Sequence, residues 1–417
     1  MNKYEITLEK FRVEKYLLIA IPIALLFVPI ILLIKNLILL RFGLVHSDRM
    51  GHFVTDTALY LIEKEKIDKK KKIFDFLYFP MLKTNGGLHT FIVNKQLEKM
   101  WRRKISISSA YFIRPFWLIF SFLNIQKHLA GVSKTQCRDI NNLLAKNKNI
   151  ITFTKEEIAY CKSILKENKI DEKKIVLVIL RDSNFLKKSL LEKGKFERFN
   201  YHDYRNVDIQ SYKKSLNYLL KKNYFVIRMG KHLQRKISIN NKKYIELHNT
   251  KFHSDLIEIY LGSICKLCIT SSTGYDEVPK IFNRPILFTN VCPLSDLQAN
   301  SRYFMIIFQR YFYKTFNKEL TFSEIVQKNC HESYRSLEFE KEKILLKKNT
   351  SEEIFQATKE FLYNINKKEF KKNSKLQNFF WATFKEKVAK KSTVCPHGVF
   401  NSKISEFFLR KITKIIK

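Results

Sequence analysis

From residue 175 onward, short apolar segments alternate with amphipathic ones, and that alternation restricts the chain to a layered fold of strands and helices. Ile175–Leu180, Tyr224–Arg228, Lys266–Thr270 and Pro285–Thr289 read as strands; Asp208–Lys222, Ser254–Gly262 and Tyr275–Phe282 read as the helices between them, with Ser254 as an N-cap. Strands joined through helices of this length run parallel. An earlier stretch has the same grammar: a strand at Leu37–Phe42, a loop over residues 43–52, a helix at Phe53–Glu65, and a strand at Ile73–Tyr78 closed by Pro80 and Asn85-Gly86-Gly87. Residues 95–165 read as mainly helical, and the polar break Glu167–Lys174 is the expected linker. The expected organisation is α/β, with an N-terminal segment at 1–36, two α/β halves at 37–165 and 172–325, and a Lys-rich helical tail at 326–417.

Leu17–Ile34 is 18 residues without a charge, which as a helix reaches ~27 Å, about the thickness of a bilayer's hydrocarbon core. No small-residue cleavage site follows, so the segment is expected to stay as an anchor, with Pro22 and Pro29 kinking it. Cations flank it on both sides, and spanning and interfacial arrangements both remain open. Tyr111–Leu123 is too short to span and reads as core or as a lipid-facing surface. The chain carries 77 Lys+Arg against 39 Asp+Glu, a net charge of +38, while 45% apolar residues exclude a disordered chain. Lys, Ile, Asn and Phe are enriched evenly, as an A/T-rich coding sequence would give, so the charge by itself assigns no function. Seven scattered Cys exclude a disulfide scaffold, and Cys265 and Cys268 read as ordinary buried residues.

In open parallel sheets, ligands bind beyond the carboxyl ends of the strands. Four loops there carry chemistry. Arg41–Phe53 gathers His46, Asp48, Arg49 and His52, where an Asp or His can act as general base. Arg181-Asp182-Ser183 joins a polar and aromatic stretch containing Arg205, Asn206 and Asp208, the last also a natural helix cap. Arg228 and Lys231 flank Gly230 and suit phosphate oxygens. Ser271–Gly274 leads into a helix whose free N–H groups would cradle an anion with Ser272, Thr273 and Gly274, and Asp276 and Glu277 follow as acceptors for sugar or ribose hydroxyls. The sequence lacks the phosphate-loop, dinucleotide, zincin and nucleophile-elbow motifs.

The blocks R-F-G-L-V-H-S-D-R-M-G-H-F, R-D-S, Y-R-N-V-D-I-Q-S-Y, V-I-R-M-G-K and S-S-T-G-Y-D-E-V-P with N-R-P-I-L resemble bacterial glycosyltransferases encoded among surface-polysaccharide genes, and more distantly heptosyltransferases of GT-B architecture. The resemblance runs over about residues 38–325. It implies two Rossmann-like domains facing across a cleft, the first holding the acceptor and the second a nucleotide-sugar donor. It implies Asp48 or its rival His52 as the base, and Arg181, Arg228, Lys231, Ser272, Thr273 and Gly274 around the donor diphosphate. Asp276 or Glu277 would take sugar or ribose hydroxyls. No metal or other cofactor is expected. The implied activity is sugar transfer to a polysaccharide or lipopolysaccharide precursor at the bacterial inner membrane, with a single N-terminal anchor, catalytic domains on the cytoplasmic side, and an anionic glycan or lipid-linked acceptor and an anionic membrane surface as partners. A sugar epimerase, hydrolase or binding scaffold on the same twin fold is the alternative. A nucleic-acid-binding protein is favoured only by the charge.

Overall fold

The structure is a computed structural model that describes residues 15–67, 72–84, 87–131, 138–147, 150–181, 199–230, 237–370 and 374–416. It divides into two compact units, one from the described residues up to Arg138 with 150–152, the other from 139–147 and everything from Phe153.

In the first unit, α1 (Lys15–Ile34) leads into β1 (Ile38–Leu44), α2 (Met50–Glu65) and β2 (Lys72–Tyr78). A hairpin of β3 (Met81–Thr84) and β4 (Gly87–Thr90) follows, then α3 (Lys95–Arg102), α4 (Ala110–Phe122) and the short β5 (Leu129–Ala130). The sheet has three strands in the order β2-β1-β5, all parallel. Two glycines let β5 close on β1. A Cβ on Gly43 would stand 2.2 Å from the Ala130 carbonyl oxygen, and Gly131, at φ +88°, lies against the Leu44 carbonyl. Arg41 and Asp75 are register partners on β1 and β2, and the guanidinium makes two bonds to the carboxylate, at 2.7 and 2.9 Å. Tyr60 and Lys64, one turn apart on α2, also donate to Asp75. Burial would raise the Asp75 pKa, but these donors outweigh it and hold the carboxyl below its usual range. Pro22 and Pro29 sit inside a continuous α1. Among the described residues it is one helix long and apolar enough to cross a membrane.

The second unit begins with α5 (Leu143–Lys146) and α6 (Lys155–Glu167), whose N-terminus is closed by a Thr154–Glu157 capping box. Then come β6 (Ile175–Ile179), α7 (Lys213–Lys221), β7 (Phe225–Arg228), β8 (Tyr244–Glu246), α8 (Asp255–Ile264), β9 (Leu267–Thr270), α9 (Glu277–Ile281), β10 (Ile286–Val291) and β11 (Phe304–Phe308). Ser254 caps α8 as expected, accepting from the Ile257 N–H at 3.2 Å. The seven-stranded sheet has the order β14-β11-β10-β9-β6-β7-β8, where β14 is Lys403–Ile404, and every neighbouring pair is parallel. Its central strands are buried along their whole length, which is why they read as unbroken apolar runs.

The expected boundaries need correction at both ends of this unit. Helix α6 packs on α8, with Phe153 edge-on to Tyr260, so the first half does not extend to 165. Residues 326–417, expected as a basic helical tail, belong to the second unit. Between β12 (Arg310–Tyr313) and β13 (Ile344–Lys347), which pair antiparallel, lie α10 (Phe322–Gln327) and α11 (Ser336–Lys341). After them α12 (Ser351–Lys367) lies on β10 and β11, α13 (Lys375–Lys387) and α14 (Glu406–Ile416) close the end of the unit, and β14 joins the sheet beside β11. The physical cause is aromatic packing. Phe308 of β11 contacts Phe322, Phe380 and Phe408, all buried.

Candidate active site

In the second unit the chain winds outward from β6 through β7 to β8, then returns to build β9, β10, β11 and β14 on the other side. The order therefore reverses between β6 and β9, the point at which open α/β sheets bind their ligands beyond the carboxyl ends. Arg181 follows β6, and Ser271 to Thr273 follow β9. The two ends are tied together: the Arg181 N–H donates to Ser271 Oγ at 2.7 Å. The 3-10 segment Phe199–Arg205 brings in Arg205, whose Nη2 donates to the Ser272 carbonyl at 2.6 Å. Gln309, just beyond β11, holds that segment by donating to the Tyr204 carbonyl at 3.0 Å.

His202 lies in the same segment. Its pKa is pushed down to about 4, first by burial and then by the nearby guanidiniums of Arg181 and Arg205. The imidazole is thus neutral at physiological pH, and two permanent cations converge beside it. Asp296 and Tyr334 border the cluster, the Tyr334 hydroxyl donating to Asp296 Oδ1 at 3.1 Å. Such an arrangement suits an anion with several oxygens, because guanidiniums offer paired donors and stay charged. The sequence reading named Arg181 and Arg205 without His202, although His202 stands three residues before Arg205 in the stretch it singled out.

The loop after β9 differs from expectation. Its helix, α9, has five residues and offers no helix-terminal anion site. The Thr273 N–H is already used, donating to Asp276 Oδ2 at 3.1 Å, and the Thr270 hydroxyl donates to the same oxygen at 3.2 Å. Asp276 is 2% exposed, and through Oδ2 it organises the loop from inside. Burial, and then the neighbouring Glu277, raise its pKa. Glu277 itself pairs at 3.0 Å with the buried Lys280. Two polar atoms of the loop, Ser272 Oγ and Thr273 Oγ1, are buried and have no partner among the described residues, and Gly274 is exposed.

Three further expectations change. Arg228 is 1% exposed and bonds through Nη1 to Glu246 at 3.0 Å, across the β7–β8 register, so it is a sheet-internal ion pair and not a loop cation. Asn206 donates to Asp203, and Asp208 caps the turn at Ile209–Tyr212, which makes both local structure. Lys231, with Asp182 and Ser183, lies outside the described residues. Cys265 and Cys268 are buried, and burial pushes both thiols up, Cys265 to about 12. Among the described residues no cluster of His, Cys, Asp and Glu could hold a metal ion.

In the first unit, the loop after β1 is pinned at its centre by Ser47, whose hydroxyl donates to the Phe91 carbonyl at 2.6 Å. Asp48 stands 3.8 Å from both His46 Nδ1 and Arg49 Nε. His52, in the first turn of α2, bonds through Nδ1 to Asp56 Oδ2 at 2.8 Å. Asp56 is buried, whereas His52 is 27% exposed. With the carboxylate accepting from Nδ1–H, the lone pair sits on Nε2, the arrangement of an imidazole general base and its orienting acid. His52 thus carries an orienting carboxylate from its own helix. Asp56 was missed, and the available signal was its i,i+4 spacing from His52 on one helix face.

No protein-family model matches the chain, and no curated protein matches it. Among solved structures, the ADP-heptose LPS heptosyltransferase II of E. coli is similar at a TM-score of 0.38 and 11% identity, covering 78% of this chain and 100% of its own. A variant of the wall teichoic acid polymerase TagF is similar at a TM-score of 0.24 and 14% identity, covering 72% of this chain and 69% of its own.

Proposed function

We propose that the chain is a glycosyltransferase, moving a sugar from a nucleotide-sugar donor to an anionic glycan or lipid-linked acceptor of the bacterial cell envelope. The observation that supports it most is the pair Arg181 and Arg205 beside a neutral His202 at the reversal of a doubly wound parallel sheet. On this reading the two guanidiniums take the donor diphosphate, with the hydroxyls of Ser272 and Thr273 as further partners. They stabilise the charge that grows as the sugar's bond to the diphosphate breaks. His52 Nε2 takes the acceptor hydroxyl's proton, the oxygen bonds to the sugar's anomeric carbon, and the nucleoside diphosphate leaves. Asp56 orients His52 and stabilises its cation. Asp48 is the second candidate for the base. That the protein acts on the cytoplasmic side of the inner membrane is part of this proposal, drawn from the motif resemblance.

The test is a melting panel on the full chain in detergent with UDP, GDP, ADP, CMP and single-stranded DNA. A ligand at 100 times its Kd stabilises by ~2.7 kcal/mol. One nucleotide is expected to raise the melting temperature, and Arg181→Ala or Arg205→Ala to weaken it tenfold or more, since a charged hydrogen bond contributes ~1.5–3 kcal/mol. Stabilisation by DNA alone, lost in salt, would overturn the proposal.

A further inference from the structure

We propose that α1 and α4 together form one membrane-binding face that lies in the plane of an anionic bilayer, seated in a single leaflet, and that α1 does not span. This rests on the membrane part of the reading above and is independent of the chemistry.

Helix α1 is committed to the first unit along one stripe. Leu17, Ala24, Val28 and Ile31, spaced by seven, four and three residues, are buried. From Ala24 on they share a core with Ile113, Ile119 and Phe120 of α4 and with Phe42 and Tyr78 of the parallel sheet. At the other end Tyr16 meets Tyr111, ring centroids 4.9 Å apart, so contact with α4 runs nearly the length of α1. For α1 to cross a bilayer while keeping this stripe, it would have to carry β1 and β2 into the hydrocarbon. A three-stranded sheet with open edges cannot enter, because its unpaired backbone groups would lose water. Helix α4, at 13 residues, reaches ~20 Å and cannot span either.

The outward faces are nonetheless strongly apolar. Leu33 of α1 is 84% exposed, and Phe112 and Phe122, near the two ends of α4, are 75% and 80% exposed. Leu18, Ile19 and Leu26 of α1 are exposed as well, and so many large apolar side chains on two packed helices exceed the scattered apolar residues of a soluble face. The charge around it selects the occupant. Residues 15–47 and 99–138 contain no Asp or Glu, whereas Lys15, Lys35 and Lys127 are exposed at the ends of the two helical segments. A cationic rim around an apolar face is complementary to anionic lipid and would repel a second copy of itself.

The experiment uses the full chain with vesicles of phosphatidylcholine, with and without phosphatidylglycerol. Single cysteines at Leu18, Leu26 and Leu33, labelled with a fluorophore and quenched by lipids carrying nitroxides at graded depths, are expected to report one shallow depth. A deep reading at position 26 between two shallow ends, with positions 18 and 33 quenched from opposite sides by an impermeant agent, would overturn the proposal. Separately, Phe112→Asp with Phe122→Asp, both at exposed positions, is expected to reduce flotation with phosphatidylglycerol vesicles at least tenfold. The nucleotide-induced melting shift should be unchanged, which separates failure here from failure of the donor site. Unchanged flotation, or a dimer in sedimentation that does not partition to vesicles, would refute the proposed surface.

Discussion

Asp75→Ala tests whether the first unit is held by charge buried between its two main strands. The carboxylate accepts from Arg41 twice, from Lys64 at 2.8 Å and from Tyr60, and both it and the Arg41 side chain are nearly inaccessible to solvent. Lys64 is partly exposed and can swing to water, but Arg41 is fixed on β1 and cannot. Removing one partner of a buried pair costs about 3–5 kcal/mol, because the other charge is left uncompensated. Arg41→Met with Asp75→Leu removes both charges at similar volume and should fall within about 1–2 kcal/mol of the parent. The sign with pH is also determined. Since the folded carboxyl is held below its unfolded value of about 3.9, its contribution is complete above that pH and is lost as pH falls through the folded value. The variant should therefore lose less stability in acid than the parent. The assay is urea unfolding by tryptophan fluorescence in a Trp381→Phe background, which confines the signal to Trp101 and Trp117 of the first unit. A single variant within about 1 kcal/mol of the parent, or a double variant as damaged as the single, would refute a charge-based lock.

Other outcomes follow from individual contacts. Gly43→Ala should destabilise the first unit by more than about 3 kcal/mol in the same urea assay, because the added carbon meets backbone atoms of Ala130 that cannot move aside. Asp276→Asn should flatten the pH dependence of melting: the raised folded pKa makes the parent lose stability as pH climbs from the unfolded value towards the folded one, and melts at pH 5 and 8 read the difference. With the donor nucleotide identified, His52→Ala should slow release of nucleoside diphosphate by ~10²–10⁴ while leaving the melting shift intact. Asp56→Asn should slow it less, and a full rate in Asp48→Asn would leave His52 as the base.

Legibility followed burial geometry. Strands β6, β9 and β10 were readable because both their faces are covered, so they needed no alternation to stand out. Strand β14 was unreadable because two residues, Lys403 and Ile404, carry no pattern of their own, and their place is decided by Met305 and Ile306 beside them. Helix α6 was legible as a helix within 95–165, but its partner α8, about a hundred residues further on, was not. Charged residues misled in one direction. Arg228 and Asp276 were read as ligand-facing because charged residues in strand-end loops are mostly exposed, yet each is buried with a partner inside the fold, Glu246 on the neighbouring strand for the one and the nearby Thr273 N–H for the other.

Topology then discriminates among loops that the sequence could only nominate. Every parallel strand of the second unit ends in a loop at the same edge, so position at a carboxyl end does not by itself rank the loop after β7 against those after β6 or β9. Crossovers on one side of a sheet fill the space above its strand ends, and only where consecutive crossovers diverge does a gap remain. By that rule the gap belongs between β6 and β9, one strand away from Arg228, with Arg181 and Ser271 following the two strands. Arg205 reaches the same gap from a segment more than twenty residues beyond β6, through its bond to Ser272. Convergence of distant residues on the point where the strand order reverses distinguishes a binding site from a polar loop. Arg205, unlike Asn206 and Asp208 beside it, bonds beyond its own segment into that gap.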